Sequence, residues 1–257
     1  MTISQKSPIL EAQHLGKVFR ASDGGLTSAV EGVSIALEPG TLTCLIGPSG
    51  CGKSTVLRML AGLVKPSEGE IWLDGQPLHR PRRRISIVFQ EDNLMPWRSV
   101  GDNIALPLQL AGTSHKKQRE RVEDMLAVTG LEDFRNQYPA ELSGGMAQRV
   151  AIARGLVTEP DVLLLDEPFG ALDALTREDM WQELLRIWST TQATVLMVTH
   201  SIEEATFLAD RVLVMSPRPG QITTQFQIPF PRPRQIDLLA DPAFTQLAAK
   251  IRAAIQH

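Results

Sequence analysis

The sequence predicts an α/β protein with a mostly parallel sheet. Four short runs carry this prediction: TLTCLI (41–46), ISIVF (85–89), VLLL (162–165) and TVLMV (194–198). They are nearly continuous in apolar, β-favouring residues, as strands covered on both faces are. Helical patterns lie between them, and a glycine-rich turn follows the first run directly. Strands alternating with helices indicate an α/β core.

Taken in order, TLTCLI feeds into GPSGCGKST, and Lys53 to Ala61 reads as a helix ended at Gly62. From about Asn93 to Thr158 the pattern is helical with no convincing strand, which predicts a helical subdomain inserted in the α/β core. Within it, LSGGMAQRV (142–150) is a Ser-Gly-Gly turn opening a helix. Leu175 to Trp188 is a further helix. Ser201-Ile-Glu-Glu204 has the form of a capping box, so another helix begins just after His200. The tail from Ser216 is rich in proline, and PFPRPR (229–234) reads as a stiff polyproline linker. Phe244, Leu247, Ala248 and Ile251 then recur at helical spacing. The expected division is a domain over 8–215, with 93–158 as its insertion, and a tail over 216–257.

The chain has 257 residues, 43% of them hydrophobic, enough for a packed core, and a net charge of −3. That charge argues against a nucleic-acid partner. No apolar run reaches the roughly 18 residues of a membrane span. The stretch MTISQKSPIL lacks the basic-then-apolar form of a secretory signal. The expectation is a soluble chain, or one held at a membrane by partners. Cys44 and Cys51 are too few and too close for a disulfide framework or metal site, and read as reduced thiols. The basic run His79–Arg84 has no interleaved aromatics and reads as a solvated loop.

The chemistry begins at Gly47-x-x-x-x-Gly52-Lys53-Ser54, a complete P-loop pattern. Gly47, Pro48, Ser49, Gly50, Cys51, Gly52, Lys53, Ser54 and Thr55 form a cradle whose backbone N–H groups curl around phosphate. Lys53 would reach the β- and γ-phosphates, and the Ser54 hydroxyl would hold Mg²⁺. Asp166-Glu167 ends an apolar strand, where an acidic pair faces the ligand crevice of an α/β sheet. Asp166 suits Mg²⁺ and Glu167 suits general-base activation of water. Gln90 and His200 also follow apolar strands. Alone, each is an ordinary strand-end residue, but beside a phosphate loop they become site candidates.

GPSGCGKST, Gln90, LSGGM, LLLDEP, the ALD of residues 171–173 and His200 stand in the order found in ATP-binding cassette (ABC) ATPases. The chain resembles that family from about Leu10 to Met215. The resemblance implies a RecA-like P-loop NTPase core with an antiparallel β portion beside the mostly parallel sheet. It implies that Gln90 senses Mg²⁺ and the γ-phosphate, and that His200 is the switch histidine contacting the γ-phosphate. It also implies that Asp173 communicates across a dimer interface and that Phe19 stacks on adenine. Ser143, Gly144 and Gly145 would cap the ATP held by a second copy, giving a head-to-tail homodimer. Met146 and Ala147 depart from the commonest signature, but neither change removes a phosphate donor.

Only 90 residues separate Lys53 from Ser143, which leaves no room for the long coiled-coil arms of chromosome-maintenance ATPases. Leu94-Met-Pro-Trp97, PFPRPR and LSGGM resemble the nitrate, sulfonate and taurine importer group. That implies permease subunits, an extracytoplasmic solute-binding protein, and a peripheral place on the cytoplasmic face of the cell membrane. An exporter or envelope motor, or a soluble nucleic-acid-associated ATPase, stays open at this point.

Overall fold

The apolar runs alternate in the direction their side chains take. Cys44, Ile46, Leu163, Leu165, Val195 and Met197 pack into one core; Leu45, Leu164, Leu196 and Val198 pack into another. A strand's side chains point to opposite faces in turn, so a run apolar at every position needs cover on both sides. The computed structural model supplies that cover. It describes residues 7–20 and 24–256, and the first six residues of the MTISQKSPIL stretch lie outside these.

The chain runs β1 (Leu10–Arg20), β2 (Leu26–Leu37), β3 (Leu42–Ile46), α1 (Lys53–Leu60), β4 (Glu68–Leu73), β5 (Gln76–Pro77) and β6 (Ile85–Val88). Then come α2 (Val100–Leu110), α3 (His115–Thr129), α4 (Gly144–Leu156), β7 (Val162–Asp166) and α5 (Ala174–Thr191). The last elements are β8 (Thr194–Thr199), α6 (Ile202–Leu208), β9 (Arg211–Met215), β10 (Ile222–Gln227) and α7 (Pro242–Gln256). A six-stranded sheet has the order β10-β9-β3-β8-β7-β6, parallel except for β10. A four-stranded antiparallel sheet has the order β2-β1-β4-β5. Helix α1 shares its core with both sheets, through Val56, Leu57, Met59 and Leu60.

The 93–158 stretch contains α2, α3 and α4 and no described strand. α4 packs on α2, α3, α5 and β6, which explains its small residues. A Cβ on Gly155 would lie 3.0 Å from Val88 Cγ2 and 3.2 Å from Leu163 Cδ1.

Two sequence expectations are corrected here. PFPRPR is not a free linker. Arg234 is buried, and its guanidinium donates to the carbonyls of Phe230, Phe207 and Ala209, the last two at 2.7 and 2.8 Å. Burial lowers its pKa to about 10, which leaves it charged at neutral pH. Arg232 lies over the Trp188 ring and pairs with Asp210 at 2.8 Å. The sequence does not show these anchors, because the carbonyls of Phe207 and Ala209 that receive Arg234 come from elsewhere in the chain. Replacing Arg234 with Met is expected to cost about 3 kcal/mol by stranding those carbonyls, and to lower Tm by roughly 10 °C. A thermal melt checks this, and an unchanged Tm would make the tail dispensable to the fold.

The second correction concerns the capping box. Ser201 Oγ accepts from Glu204 N at 3.2 Å, so the helix starts where expected. The Glu204 side chain does not reach back to Ser201 N–H, which donates instead to Thr199 Oγ1 at 3.0 Å. Glu204 turns inward and accepts from Trp181 Nε1 at 3.0 Å. The box pattern is local, whereas Trp181 is a partner from α5 that only the fold brings near.

Candidate functional site

The phosphate loop lies between β3 and α1, where two glycines are sterically required. A Cβ on Gly47 would lie 2.6 Å from Met215 O. Gly52 has φ 110°, and its Cβ would meet Ala29 O at 2.7 Å. Pro48, Gly52, Ser54 and Thr55 are half-buried, Cys51 is buried with a free thiol, and Ser49 and Gly50 form the exposed tip. Lys53 is buried, and its Nζ donates to Gly47 O at 2.9 Å and Pro48 O at 3.0 Å. The ammonium therefore sits across the loop, where a phosphate oxygen would be a stronger partner than either carbonyl.

β8 lies between β3 and β7, and register aligns their ends: Ile46 faces Thr199, and Asp166 faces Val198. The phosphate loop, Asp166-Glu167, His200 and, beyond β6, Gln90 all follow the carboxyl ends of parallel strands. That is the edge where open α/β sheets bind ligands. Ser54 Oγ donates to Asp166 Oδ1 at 2.8 Å. Burial raises the Asp166 pKa, and the Ser54 bond acts against that. A hydroxyl and a carboxylate at this separation are hard oxygen donors of the kind Mg²⁺ takes, together with substrate phosphates.

Glu167 adopts φ 46°, a left-handed conformation that costs a non-glycine residue about 1 kcal/mol. Its N–H bond to Val198 O at 2.9 Å holds it there. Its Oε2 lies 3.0 Å from His200 Nδ1. An ionised carboxylate only accepts, so this pairing puts the proton on Nδ1 and leaves Nε2 free. A Cβ on Gly170 would lie 3.5 Å from Gln90 Nε2 and 3.8 Å from Glu167 Oε2. Gln90 and Glu167 therefore both lie within contact distance of one point beside Gly170. Sequence reasoning missed Gly170, since a lone glycine after a strand carries no signal of what approaches it.

A second group forms at the starts of α4 and α5. Ser143 is the N-cap of α4, and its Oγ accepts from Met146 N at 3.3 Å. Gly144 and Gly145 open that helix, where first-turn N–H groups lack intrahelical acceptors. Cβ atoms on them would meet Leu172 Cδ2 at 3.2 Å and Thr176 Cγ2 at 3.1 Å. Asp173 caps α5 by accepting from Thr176 N at 3.1 Å, and hydrogen bonding holds its pKa below the usual carboxylate range. Among the described residues, no hydrogen bond joins the Ser143–Gly145 turn to the phosphate loop. Phe19 is 42% exposed on β1, with Lys17 Nζ 5.2 Å from its ring centroid.

Trp97 is 72% exposed. It sits in a turn closed by Arg98 N to Met95 O at 3.0 Å. Asn103, fully buried, pins that turn: it accepts from Met95 N and donates to the carbonyls of Met95, Arg98 and Ser99. The basic run His79–Arg84 is exposed along its whole length, and its Arg84 pairs with Asp74 and Asp161.

Comparison with known proteins adds to this geometry. The sequence model of the ABC transporter family matches residues 30–170. The chain is 45% identical over 254 residues to a taurine import ATP-binding protein of Rhizobium johnstonii, covering 96% of each. It is 46% identical to a nitrate import ATP-binding protein of Synechococcus elongatus, covering 91% of this chain and 86% of the relative. An aliphatic sulfonates import ATP-binding protein of Bacillus cereus is 44% identical, with 91% and 90% covered. Among solved structures, a dimeric ATP-binding cassette in a post-hydrolysis state bound to ADP and Pi superposes with a TM-score of 0.74. It is 32% identical over 86% of this chain and 99% of that one. A Clostridium perfringens cassette, part of an ABC transporter complex, gives 0.78 at 29% identity over 96% of each.

Proposed function

The chain belongs to the ABC transporter family, and from that premise we propose that it is the ATP-hydrolysing subunit of an importer for a small solute of the nitrate, sulfonate or taurine kind. The observation that carries the reading is the pairing of Glu167 with His200 at 3.0 Å, on the same sheet edge as the phosphate loop. The importer relatives, similar over nearly the whole chain, support the choice of machine.

In this reading Lys53 and the loop amides hold the β- and γ-phosphates of ATP, and Phe19 stacks on the adenine. Glu167 takes a proton from the attacking water, oriented by His200 Nδ1–H. Gln90, beside the same Gly170 as Glu167, senses whether the γ-phosphate is present. Mg²⁺, when bound, screens the phosphate charge, and Ser54 and Asp166, with Gln90 as a third group, are the residues that would hold it. Ser143, Gly144 and Gly145 offer a hydroxyl and free helix N–H groups, an anion site with no lysine of its own. The dimeric cassette among the similar solved structures supports a head-to-tail homodimer in which each turn caps the partner's ATP, with Asp173 at the contact. Closure of the pair would drive the permease, and hydrolysis would let it reopen. The solute-binding protein and the cytoplasmic membrane face belong to the same proposal. Among the described residues no helix is long and apolar enough to cross a membrane, so contact with the bilayer would run through the permease.

Capture of the chain from gently solubilised membranes tests this reading, with mass spectrometry of what accompanies it. A multi-span permease with an importer's binding protein is the expected result. Recovery with ribosomes or nucleic acid would overturn the importer while leaving the ATPase chemistry. In the same experiment Trp97→Ala should weaken permease recovery by about tenfold or more, as loss of a buried aromatic anchor does. The ATPase of the isolated chain should be unchanged, since the ring is solvated and outside the nucleotide site.

A further inference from the structure

Glu204 is a buried carboxylate, 3% exposed, that the chemistry above does not use. Two elements, α5 and β8, meet its own helix α6 at this side chain. Trp181, buried on α5 and tilted against Phe207, donates Nε1–H to its Oε1 at 3.0 Å. The hydroxyl of Thr199, the last residue of β8, faces its carboxylate and works against the rise in its pKa. Arg177, one turn before Trp181, faces it with a positive charge and donates Nη2 to Leu172 O at 2.7 Å, beside Asp173.

The direction of these bonds is determined by chemistry. An indole N–H can only donate. Thr199 Oγ1 already accepts the Ser201 N–H at 3.0 Å, which leaves its own proton available to Glu204, the carboxylate it faces. Two donors therefore converge on one side chain. A carboxylate accepts both, whereas an amide would turn its NH₂ group on one of them. Burying a carboxylate is costly, and burial raises its pKa. Helix capping does not require it, because Ser201 Oγ provides the cap.

We propose that Glu204 is a positioning residue for His200. It fixes the Thr199–Ser201 corner against α5, and so fixes the 3.0 Å approach of His200 Nδ1 to Glu167. The relay also ties that corner to the helix capped by Asp173. The inference rests on the reading that His200 and Glu167 act together in hydrolysis.

The test uses the full chain assembled with its permease, measuring steady-state ATPase and binding of a fluorescent ATP analogue. Glu204→Gln, Thr199→Val and Trp181→Phe each remove one acceptor or donor. Each should lower kcat by about tenfold while ATP affinity stays within about twofold. Thr199→Ser keeps the hydroxyl and should restore near-normal kcat. Should one of the three fail to fold, the other two carry the test. In a His200→Ala background, Glu204→Gln should add little, because residues acting through one another are non-additive. Normal kcat in Glu204→Gln and Thr199→Val, or a full further loss on top of His200→Ala, would overturn the positioning role. Full turnover in His200→Ala alone would instead overturn the underlying reading of the switch.

Discussion

Replacing Glu167 with Gln will lower ATP turnover by about 10³-fold, the scale of a lost general base. The exchange keeps the shape of the side chain and a carbonyl oxygen able to accept from His200 Nδ1–H, now 3.0 Å from Oε2. It removes the carboxylate that would take the proton of the attacking water. Lys53 is held by Gly47 O and Pro48 O, and Ser54 by Asp166, through bonds that do not involve Glu167. ATP binding should therefore survive, and the chain should accumulate as an ATP-bound dimer. Turnover by rapid quench and dimer content by light scattering with ATP check the two halves. Near-normal turnover would remove Glu167 from the role of base.

A second large effect is expected from mixing two inactive variants. Lys53→Ala removes the loop's ammonium, and Gly144→Asp places a negative charge at the start of α4. Each should lower turnover by about 10²-fold or more, as loss of a main electrostatic contact does. The fold should tolerate both, since a Cβ on Gly144 meets only the flexible Leu172 Cδ2, at 3.2 Å. In a mixed dimer one composite site is intact: the loop of the Gly144→Asp chain faces the turn of the Lys53→Ala chain. Mixing should restore measurable hydrolysis. If each turn served its own chain's ATP, no site in the mixture would be whole, and no activity would return.

The other predictions divide between fold and partners. Loss of Arg234 should be felt in stability, through carbonyls left unpaired. Loss of Trp97 should be felt only when the permease is present. The relay through Glu204 should appear in kcat and not in ATP affinity. These separate readouts keep a folding defect from being mistaken for a defect in chemistry.

Much of the molecule was legible in the chain by itself. Runs apolar at every position, such as Leu163–Leu165, required a sheet covered on both faces, whatever did the covering. The glycine spacing of the phosphate loop required a cradle after β3, because only glycine fits at Gly47 and Gly52. Asp166, Glu167 and His200 were candidates because each follows such a strand. These signals are local: period, steric exclusion and position along a strand are written in consecutive residues. Sheet order, and with it the alignment of Ile46 with Thr199 and of Asp166 with Val198, came only with the tertiary structure. So did the fate of two side chains that local pattern misread. Glu204 left its expected cap for Trp181, 23 residues away, and Arg234, in a run read as a stiff linker, donates to carbonyls at Phe207 and Ala209. Both are long charged or polar groups whose partners lie on other elements. Burial makes an unpaired donor or acceptor costly, so such groups go where the fold offers a partner, and that offer is not written in their own neighbourhood of the sequence.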